Sequence, residues 1–272
     1  MSWLTPSPSS PRTYKAPAAL IGAALALTVM APTQAVARQD PRAASWTLKW
    51  NPEANRDGLD AFEGIEDDRA DSHSGVKHIY TQGNNFRFDM HNRDRDGSDR
   101  QRNEVKGMRQ PAGGSYLVMR NGETWRFTWR LFIPNSLKST TTFTHIMQMK
   151  APGSGGPIVV QSLRRVNGEQ TIELQAALTG TIVGRTDLEP LHDKWIDIDF
   201  EMKIGNAPDG RIRWIVRDGS RTVIDASKSG LDTWLEDRVR PKWGIYRSIN
   251  DTSGSLRDSY MLTTNMRGYQ WQ

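Results

Sequence analysis

Residues 125–133 read Trp-Arg-Phe-Thr-Trp-Arg-Leu-Phe-Ile, and this stretch decides the fold class. Every odd position is apolar, whereas positions 126, 128 and 130 are polar. Because successive side chains of a β-strand point to opposite faces, this two-residue period predicts a half-buried strand. The same period recurs over residues 195–203, where Ile196, Ile198, Phe200 and Met202 alternate with charged residues.

Two Asp-Gly dipeptides enclose the next candidate strand. Asp209-Gly210 and Asp218-Gly219 stand on either side of residues 211–217, and such pairs are typical of tight turns between antiparallel strands. No long stretch has the 3.6-residue period of an amphipathic helix. The sequence therefore predicts an all-β fold, in which two antiparallel sheets pack as a concanavalin-like β-jelly-roll sandwich.

The first 37 residues differ from the rest of the chain. Arg12 and Lys15 are their only charged residues, an apolar run of 14 residues follows at 18–31, and Ala35-Val-Ala37 has the small-x-small pattern that signal peptidase accepts. A membrane-spanning helix needs about 20 apolar residues, so the run is too short for an anchor. We expect residues 1–37 to be a secretory signal and residues 38–272 to form one domain, secreted or periplasmic and without further membrane contact.

Composition excludes several classes of protein. The 272 residues include no Cys, which excludes a disulfide scaffold, a Cys-ligated metal site and a thiol enzyme. Lys and Arg number 36 against 31 Asp and Glu; removing residues 1–37 leaves 34 against 31, a net charge of +3. Basic and acidic residues are interleaved over 91–102 rather than forming a basic stripe, so we expect no nucleic-acid partner. A locally basic cleft would still suit an acidic polysaccharide.

Two segments carry polar residues with strand spacing. In residues 102–107, an extended backbone would place Arg102, Glu104 and Lys106 on one face, although an exposed ladder of ion pairs has the same pattern. Residues 143–150 contain two sets under strict alternation: a core face with Phe143, His145, Met147 and Met149, and an outer face with Thr144, Ile146, Gln148 and Lys150. His145 is thus expected as a core histidine unless a β-bulge turns it outward.

A third segment, residues 241–247, contains the candidate acid or base. Lys242, Gly244 and Tyr246 share one face, whereas Trp243, Ile245 and Arg247 point toward the core. A glycine between two polar side chains would leave room for a ligand to lie against the strand. A single Tyr on a strand is more often structural, so its significance depends on the other two segments.

Together the three segments resemble the β-jelly-roll polysaccharide lyases, which include alginate lyases, glucuronan lyases and the heparin-lyase-I type. The alginate lyase signatures Arg-x-Glu-Leu, Gln-x-His and Tyr-Phe-Lys-Ala-Gly-x-Tyr correspond here to Arg102-Asn-Glu-Val, Gln148-Met-Lys150 and Lys242-Trp-Gly-Ile-Tyr246. The resemblance extends from about Trp46 to Tyr269. Lys150 stands where alginate lyases have His, and His145 precedes Gln148 by three residues, which is more similar to the glucuronan and heparin lyases.

The resemblance implies β-elimination in a uronate-containing polysaccharide, with glucuronan favoured and 4,5-unsaturated uronate ends as products. Gln148 and Arg102 would neutralise the uronate carboxylate and stabilise the charge formed when the C5 proton leaves. Tyr246 would serve as base and acid, or His145 as base with Tyr246 as acid only. The expected substrate-binding residues are Lys242, Lys150, Glu104 and Arg247.

Two other classes of function are open at this point. A glycoside hydrolase would use paired carboxylates, and Asp197, Asp199 and Glu201 share a strand face, although an acidic solvent face is the simpler interpretation. A carbohydrate-binding module would need exposed Trp rings, whereas most Trp residues here alternate toward the core.

No cofactor requirement or metal site is predicted. His73 and His78 are five residues apart in a polar stretch, and His91 and His192 are isolated, which is not the spacing of metal ligands. A structural Ca²⁺ bound by loop carbonyls and Asp side chains would leave no sequence signature. The Asp67-Asp68 pair and residues 94–99 are expected as solvated loops, and the protein is expected to be a monomer.

Overall fold

The protein, described here by a computed structural model, is an all-β sandwich. The structure describes residues 45–153 and 155–272, and the predicted secretory signal lies outside them. In these residues the only α-helix, α1, is one turn long, Ala54–Asp57. Two 3₁₀ turns occupy Gly58–Ala61 and Glu189–Leu191. None of the helices in the described part of the chain is long and apolar enough to cross a membrane.

The described residues contain fifteen β-strands. In chain order they are β1 (Trp46–Trp50), β2 (Gly64–Glu66), β3 (Ile79–Gln82), β4 (Asn85–Met90), β5 (Arg100–Lys106), β6 (Thr124–Phe132), β7 (Thr144–Lys150), β8 (Val159–Val166), β9 (Glu169–Ala176), β10 (Thr181–Asp187), β11 (Trp195–Lys203), β12 (Gly210–Asp218), β13 (Arg221–Leu231), β14 (Arg240–Ser248) and β15 (Ser259–Trp271).

These strands form two sheets with antiparallel pairing throughout. Sheet A has the order β13-β12-β11-β6-β15-β4-β3, with β1 paired to the end of β15. Sheet B has the order β10-β9-β8-β7-β14-β5-β2. Strands from distant parts of the sequence are therefore neighbours, as β14 lies between β5 and β7. The predicted jelly-roll sandwich is confirmed.

The strands predicted from periodicity are present with the expected sidedness. β6 alternates strictly between partly exposed and buried residues, and β11 coincides with the predicted residues 195–203. β11 pairs with β6 and β12, and Phe200 lies opposite Phe127 and Trp214. The Asp218-Gly219 dipeptide forms the turn to β13, with Gly219 at a φ of 59°, a conformation that glycine adopts without a steric penalty.

Aromatic side chains fill the space between the sheets. Trp243 of β14 stacks on Trp50 of β1 at a centroid distance of 5.4 Å, and Phe127 and Trp129 of β6 meet Trp243 edge-on at 5.9 and 6.2 Å. Burying a large apolar side chain of this kind contributes about 1.5–3 kcal/mol. Because Trp243 is anchored in this way, the alternate residues of β14 must face away from the core.

Candidate active site

Three neighbouring strands of sheet B present polar side chains on the face directed away from the core. Trp243 and Ile245 of β14 belong to the core, so Lys242, Gly244 and Tyr246 point the other way. The neighbouring strands β5 and β7 add further polar residues to this side. We call it the polar face and define it by Arg102, Glu104, His145, Gln148, Lys242 and Tyr246.

Tyr246 lies between two other candidate residues of the polar face. It pairs with Arg102 on β5 and with His145 on β7. The Arg102 guanidinium stacks over the phenol ring at 3.9 Å from its centroid, and Arg100 Nη1 donates a hydrogen bond of 3.4 Å to the phenolic oxygen. Two cations thus lie against one phenol.

His145 does not face the core, because β7 contains a bulge of the kind that strict alternation leaves out. The register of β7 against β8 shifts between His145 and Met147, so Ile146 is an extra residue that lies buried in the core. This bulge reverses the alternation on its N-terminal side. His145 therefore points to the polar face, with Phe143 stacked on its imidazole at 4.8 Å, and Thr144 is buried instead of exposed.

The His145 imidazole is held neutral. Burial, followed by the positive charges of Arg164, Arg102 and Lys242, lowers the pKa of His145 to about 3. The ring lies 5.6 Å from the Tyr246 ring, centroid to centroid, and its Nδ1 is 2.7 Å from the Ser162 hydroxyl on β8. A base is most effective when its pKa lies near the working pH. His145 is thus weakly basic in this environment and is better suited to hydrogen bonding than to proton abstraction.

The centre of the polar face is a buried ionic cluster. Lys242 Nζ donates to Glu104 Oε2 at 2.6 Å and to Glu66 Oε2 at 2.7 Å, and Gln148 Nε2 donates to Glu104 Oε1 at 2.6 Å. Lys242, Glu104 and Gln148 are each at most 2% exposed. Their polar atoms bind one another, so Lys242 and Gln148 form the floor of the site instead of reaching outward as the sequence suggested.

Ion pairing fixes the charge states in this cluster. Burial alone would raise the pKa of Glu66, but Lys242 and Lys106 outweigh it and hold that pKa at about 2. Burial likewise opposes the charge on Arg102, yet Glu104 and Glu66 raise its pKa above the usual value. Both groups are therefore charged throughout the physiological range.

Arg102 is fixed from three sides. Its Nη1 lies 3.3 Å from Glu66 and 3.5 Å from Glu104, and its Nε lies 3.0 Å from Asp96. Asp96 itself is nearly buried, contrary to the expectation of a solvated loop. Its charge is balanced by three protein carboxylates, so Arg102 supports the Tyr246 ring. Arg100 has one carboxylate partner, Asp99 at 2.7 Å, and with a side chain 41% exposed it is better placed to meet a substrate carboxylate.

The two remaining sequence candidates lie apart from Tyr246. Lys150 is at the opposite end of β7, paired with Arg240, and burial together with nearby Lys242 and Arg240 lowers its pKa. Arg247 points into the interior, is fully buried, and donates to Gln101 Oε1 at 2.6 Å. Burial lowers the pKa of Arg247 to about 10. The structure does not bring Arg247 to the polar face, so it cannot contact a substrate there.

Gly244 is required by the neighbouring strand and not by a ligand. Its φ is 139°, and a Cβ at this position would lie 2.1 Å from the Asn103 carbonyl oxygen and 2.6 Å from Glu104 Cα. That a ligand lies against the strand at Gly244 stays a prediction. Its role is to let β14 approach β5 closely.

The acidic residues considered for a glycoside hydrolase lie on the outer face of sheet A. Asp199 accepts two hydrogen bonds from Arg126 at 2.8 and 2.6 Å, Glu201 pairs with Arg211, and Asp197 lies 3.5 Å from Arg130. Each carboxylate has an arginine partner. These cross-strand ion pairs on the outer surface are what the simpler interpretation, an acidic solvent face, predicts.

Three contributors to the site were absent from the sequence prediction. Arg100 stands two residues before Arg102, and strand alternation alone would have placed it on the same face. Ser162 on β8 contacts His145, and Glu66 on β2 contacts Lys242. Both contacts follow from the order of the strands in sheet B. No local sequence signal gives that pairing.

A separate cluster of possible metal ligands lies outside the polar face. His73, His78, His91 and Asp94 each place a ligand atom within 4.8 Å of the others. Their spacing in the sequence did not predict a metal site. In the fold, β3 and β4 form a hairpin, which brings the segment before β3 next to the loop after β4. Asp94 is 2% exposed, so it is not part of a solvated loop.

Comparisons with known proteins agree with this fold. The sequence matches the family model described as polysaccharide lyase over residues 51–263. An endo-β-1,4-glucuronan lyase from the fungus Trichoderma reesei is 12% identical with a TM-score of 0.53, covering 82% of this chain and 95% of that one. The family 7 alginate lyase A1-II′ is 10% identical with a TM-score of 0.54, covering 82% and 100%.

An alginate lyase from Pseudomonas aeruginosa is also similar, at 12% identity and a TM-score of 0.50, covering 79% of this chain and 99% of that one. No curated protein sequence is significantly similar to the chain. At these identities the structural likeness shows the fold alone.

Proposed function

The chain belongs to the polysaccharide lyase family, and we propose that it cleaves a glucuronan-type polymer by β-elimination at the polar face of sheet B. The observation that carries this proposal is the pairing of Tyr246 with Arg102 and His145, which places a phenol between a cation and a neutral imidazole. The products would carry a 4,5-unsaturated uronate at the new non-reducing end.

The geometry favours attack from one side of the sugar. The Tyr246 and His145 ring centroids are 5.6 Å apart. A sugar sandwiched between two rings needs about 7 Å, which is two van der Waals separations of about 3.5 Å. The uronate must therefore lie over both rings and not between them. In β-1,4-linked glucuronate the C5 proton and the O4 leaving group are on the same side, so one group can serve both, a syn elimination.

Tyr246 is assigned as both base and acid. As a phenolate it takes the C5 proton, the C4–O4 bond breaks, and the phenol then returns a proton to O4. Arg100 neutralises the substrate carboxylate and stabilises the aci-carboxylate that forms as the C5 proton leaves. His145, with its pKa of about 3, remains neutral and binds or orients the sugar. This differs from a mechanism in which His145 abstracts the proton.

The substrate is proposed from charge and stereochemistry. Lys150 stands on β7 where the alginate lyase signature has His, and a cation at this position suits a polymer of uronates. A syn geometry suits glucuronate and also mannuronate, whereas guluronate has the opposite configuration at C5. We further assign the protein to the secreted or periplasmic space on the sequence of residues 1–37, and we expect it to act as a monomer.

The test is a substrate panel. The protein without residues 1–37 is incubated with glucuronan, polymannuronate, polyguluronate, hyaluronan and heparin while ultraviolet absorbance of the conjugated enoate is followed. We expect the fastest increase with glucuronan and none with polyguluronate. Mass spectrometry of the products separates elimination from hydrolysis, because hydrolysis adds water. Cleavage of polyguluronate alone, or products containing added water, would contradict the proposal.

A further inference from the structure

We propose that His73, His78, His91 and Asp94 bind a zinc ion that links two loops beside the active site. This site is independent of which polysaccharide is cleaved. The residues come from the segment before β3 and from the loop after β4. The three imidazole centroids are 4.9, 5.2 and 5.3 Å apart, forming a nearly equilateral triangle around the Asp94 carboxylate.

The four ligand atoms lie within 4.8 Å of one another, and the shorter separations are close to those around a tetrahedral ion. Zinc bonds of about 2.0–2.1 Å put neighbouring ligand atoms of a tetrahedron about 3.3–3.4 Å apart. The observed separations are 3.4 Å from His78 Nε2 to His73 Nδ1, 3.2 Å from His78 Nε2 to Asp94 Oδ1, and 3.4 Å from His91 Nδ1 to Asp94 Oδ2. His73 Nδ1 is nearer, 2.9 Å from Asp94 Oδ1.

The hydrogen bonding of His78 orients its Nε2 toward the other candidate ligands. Its Nδ1 lies 2.7 Å from Asp67 Oδ1 and must carry the proton, because a carboxylate only accepts. In a neutral imidazole, Nε2 then presents a lone pair 3.2 Å from Asp94 Oδ1, and an ion bound to both atoms would convert this repulsion into shared coordination. A histidine that donates its other nitrogen to a carboxylate is also the usual support of a zinc ligand.

Burial supports the same conclusion. His78 is fully buried and Asp94 is 2% exposed, so bulk water cannot hydrogen-bond to the imidazole or solvate the carboxylate. His91 Nδ1 is buried and makes no hydrogen bond to the described residues. Three imidazoles and one carboxylate make up a donor set typical of zinc in proteins, and four protein ligands without an open position indicate a structural ion.

The ion would act on the active site through the loop that holds Asp94. Two residues further along, Asp96 lies 3.0 Å from Arg102 and 2.7 Å from Arg69. Glu66, immediately before Asp67, binds Lys242. An ion that fixes both loops would therefore also fix Asp96 and Glu66, the carboxylates that hold Arg102 against the Tyr246 ring. Asp94 and Asp67 are positioning residues in this scheme and do not touch substrate.

Metal content is the test, with a tag other than polyhistidine used for purification. After dialysis, mass spectrometry of the metals should find about one zinc per chain in the wild type. His73→Asn and His91→Asn should each lose most of it. Asp71→Asn, an exposed acidic residue of the same loop, and His192→Asn, a histidine outside the cluster, should retain it.

Two further measurements keep the outcome clear if a variant folds poorly. Cobalt(II) added to the metal-free wild type should give the visible spectrum of a tetrahedral ion, and chelation should lower the thermal midpoint of the wild type but not of His73→Asn. A wild type that neither retains zinc nor gives this cobalt spectrum would overturn the proposal and indicate a protonated histidine cluster. Equal zinc in the wild type and both ligand variants would also overturn it.

Discussion

Tyr246 and His145 are directly opposite residues on adjacent antiparallel strands, with their ring centroids 5.6 Å apart and both rings on the same face of sheet B. This relationship depends on the extra residue Ile146 in β7, which turns His145 away from the core. The phenol and the imidazole consequently approach a bound uronate from one side. The proposed syn elimination follows from this arrangement.

The pH dependence of stability should report the neutral state of His145. Its pKa of about 3 in the folded protein lies below the value of about 6.5 expected in the unfolded chain. The unfolded state therefore binds more protons as pH falls below about 6.5, and stability declines toward pH 3 by at most about 1.4 kcal/mol per pH unit from this group. Urea unfolding of His145→Gln at pH 7, 5 and 4 should show a shallower decline than the wild type. Identical slopes would show that His145 is not buried as a neutral group.

Removal of Lys242 should destabilise the protein strongly. Lys242→Met would leave Glu104 and Glu66 buried without their shared cation, and breaking a buried ion pair costs about 3–5 kcal/mol. Lys106→Met is the matched control, because Lys106 pairs with the same Glu66 but is 25% exposed, and should cost less than about 1 kcal/mol. Chemical denaturation at pH 7 measures both. A double variant Lys242→Met with Glu104→Gln should regain part of the loss, whereas equal effects of the two Lys substitutions would contradict the buried cluster.

Gly244 should tolerate no side chain. Gly244→Ala would place Cβ 2.1 Å from the Asn103 carbonyl oxygen, so β14 and β5 must separate, at a cost of about 3 kcal/mol or more. Gly219 also has a positive φ, 59°, but a Cβ there would have no atom within 4 Å, so Gly219→Ala should cost about 1 kcal/mol from backbone strain alone. Thermal unfolding compares them, and similar midpoints would show that the close approach of the strands is not what requires glycine.

Arg100 should contribute to catalysis although it lies outside the recognised signature. Loss of one charge-assisted hydrogen bond to the substrate carboxylate costs about 1.5–3 kcal/mol, so Arg100→Gln should lower kcat/KM about 10- to 150-fold on glucuronan. Arg211→Gln removes the same charge from the outer face of sheet A and should leave kcat/KM within about twofold of wild type. If both variants lose activity equally, net charge and not the position of Arg100 is responsible.

Periodicity predicted the fold because most strands are half-buried. β6 and β11 show this alternation without a break, and the sandwich follows from many such segments. The candidate residues of β5 and β14 were placed on the correct faces for the same reason. Tyr246 and Arg102 became neighbours only through the pairing of strands that are more than 130 residues apart, which alternation cannot specify.

The failures have specific physical causes. One inserted residue, Ile146, reversed the predicted direction of His145. The buried pairing of Lys242 with Glu104 and Glu66 could not be read from residue types that are usually exposed. The histidine cluster around Asp94 was missed because a strand hairpin, and not short sequence spacing, brings its members together.

The central claim is that the Tyr246 hydroxyl moves the protons of elimination. The direct measurement is the rate of enoate formation from glucuronan by Tyr246→Phe, with Tyr260→Phe on sheet A as the control. Tyr246→Phe should lose at least about 100-fold in kcat, with an unchanged thermal midpoint and retained binding of the polymer, whereas Tyr260→Phe should keep wild-type rates. A correctly folded Tyr246→Phe variant that keeps kcat within a few-fold of the wild type would contradict it.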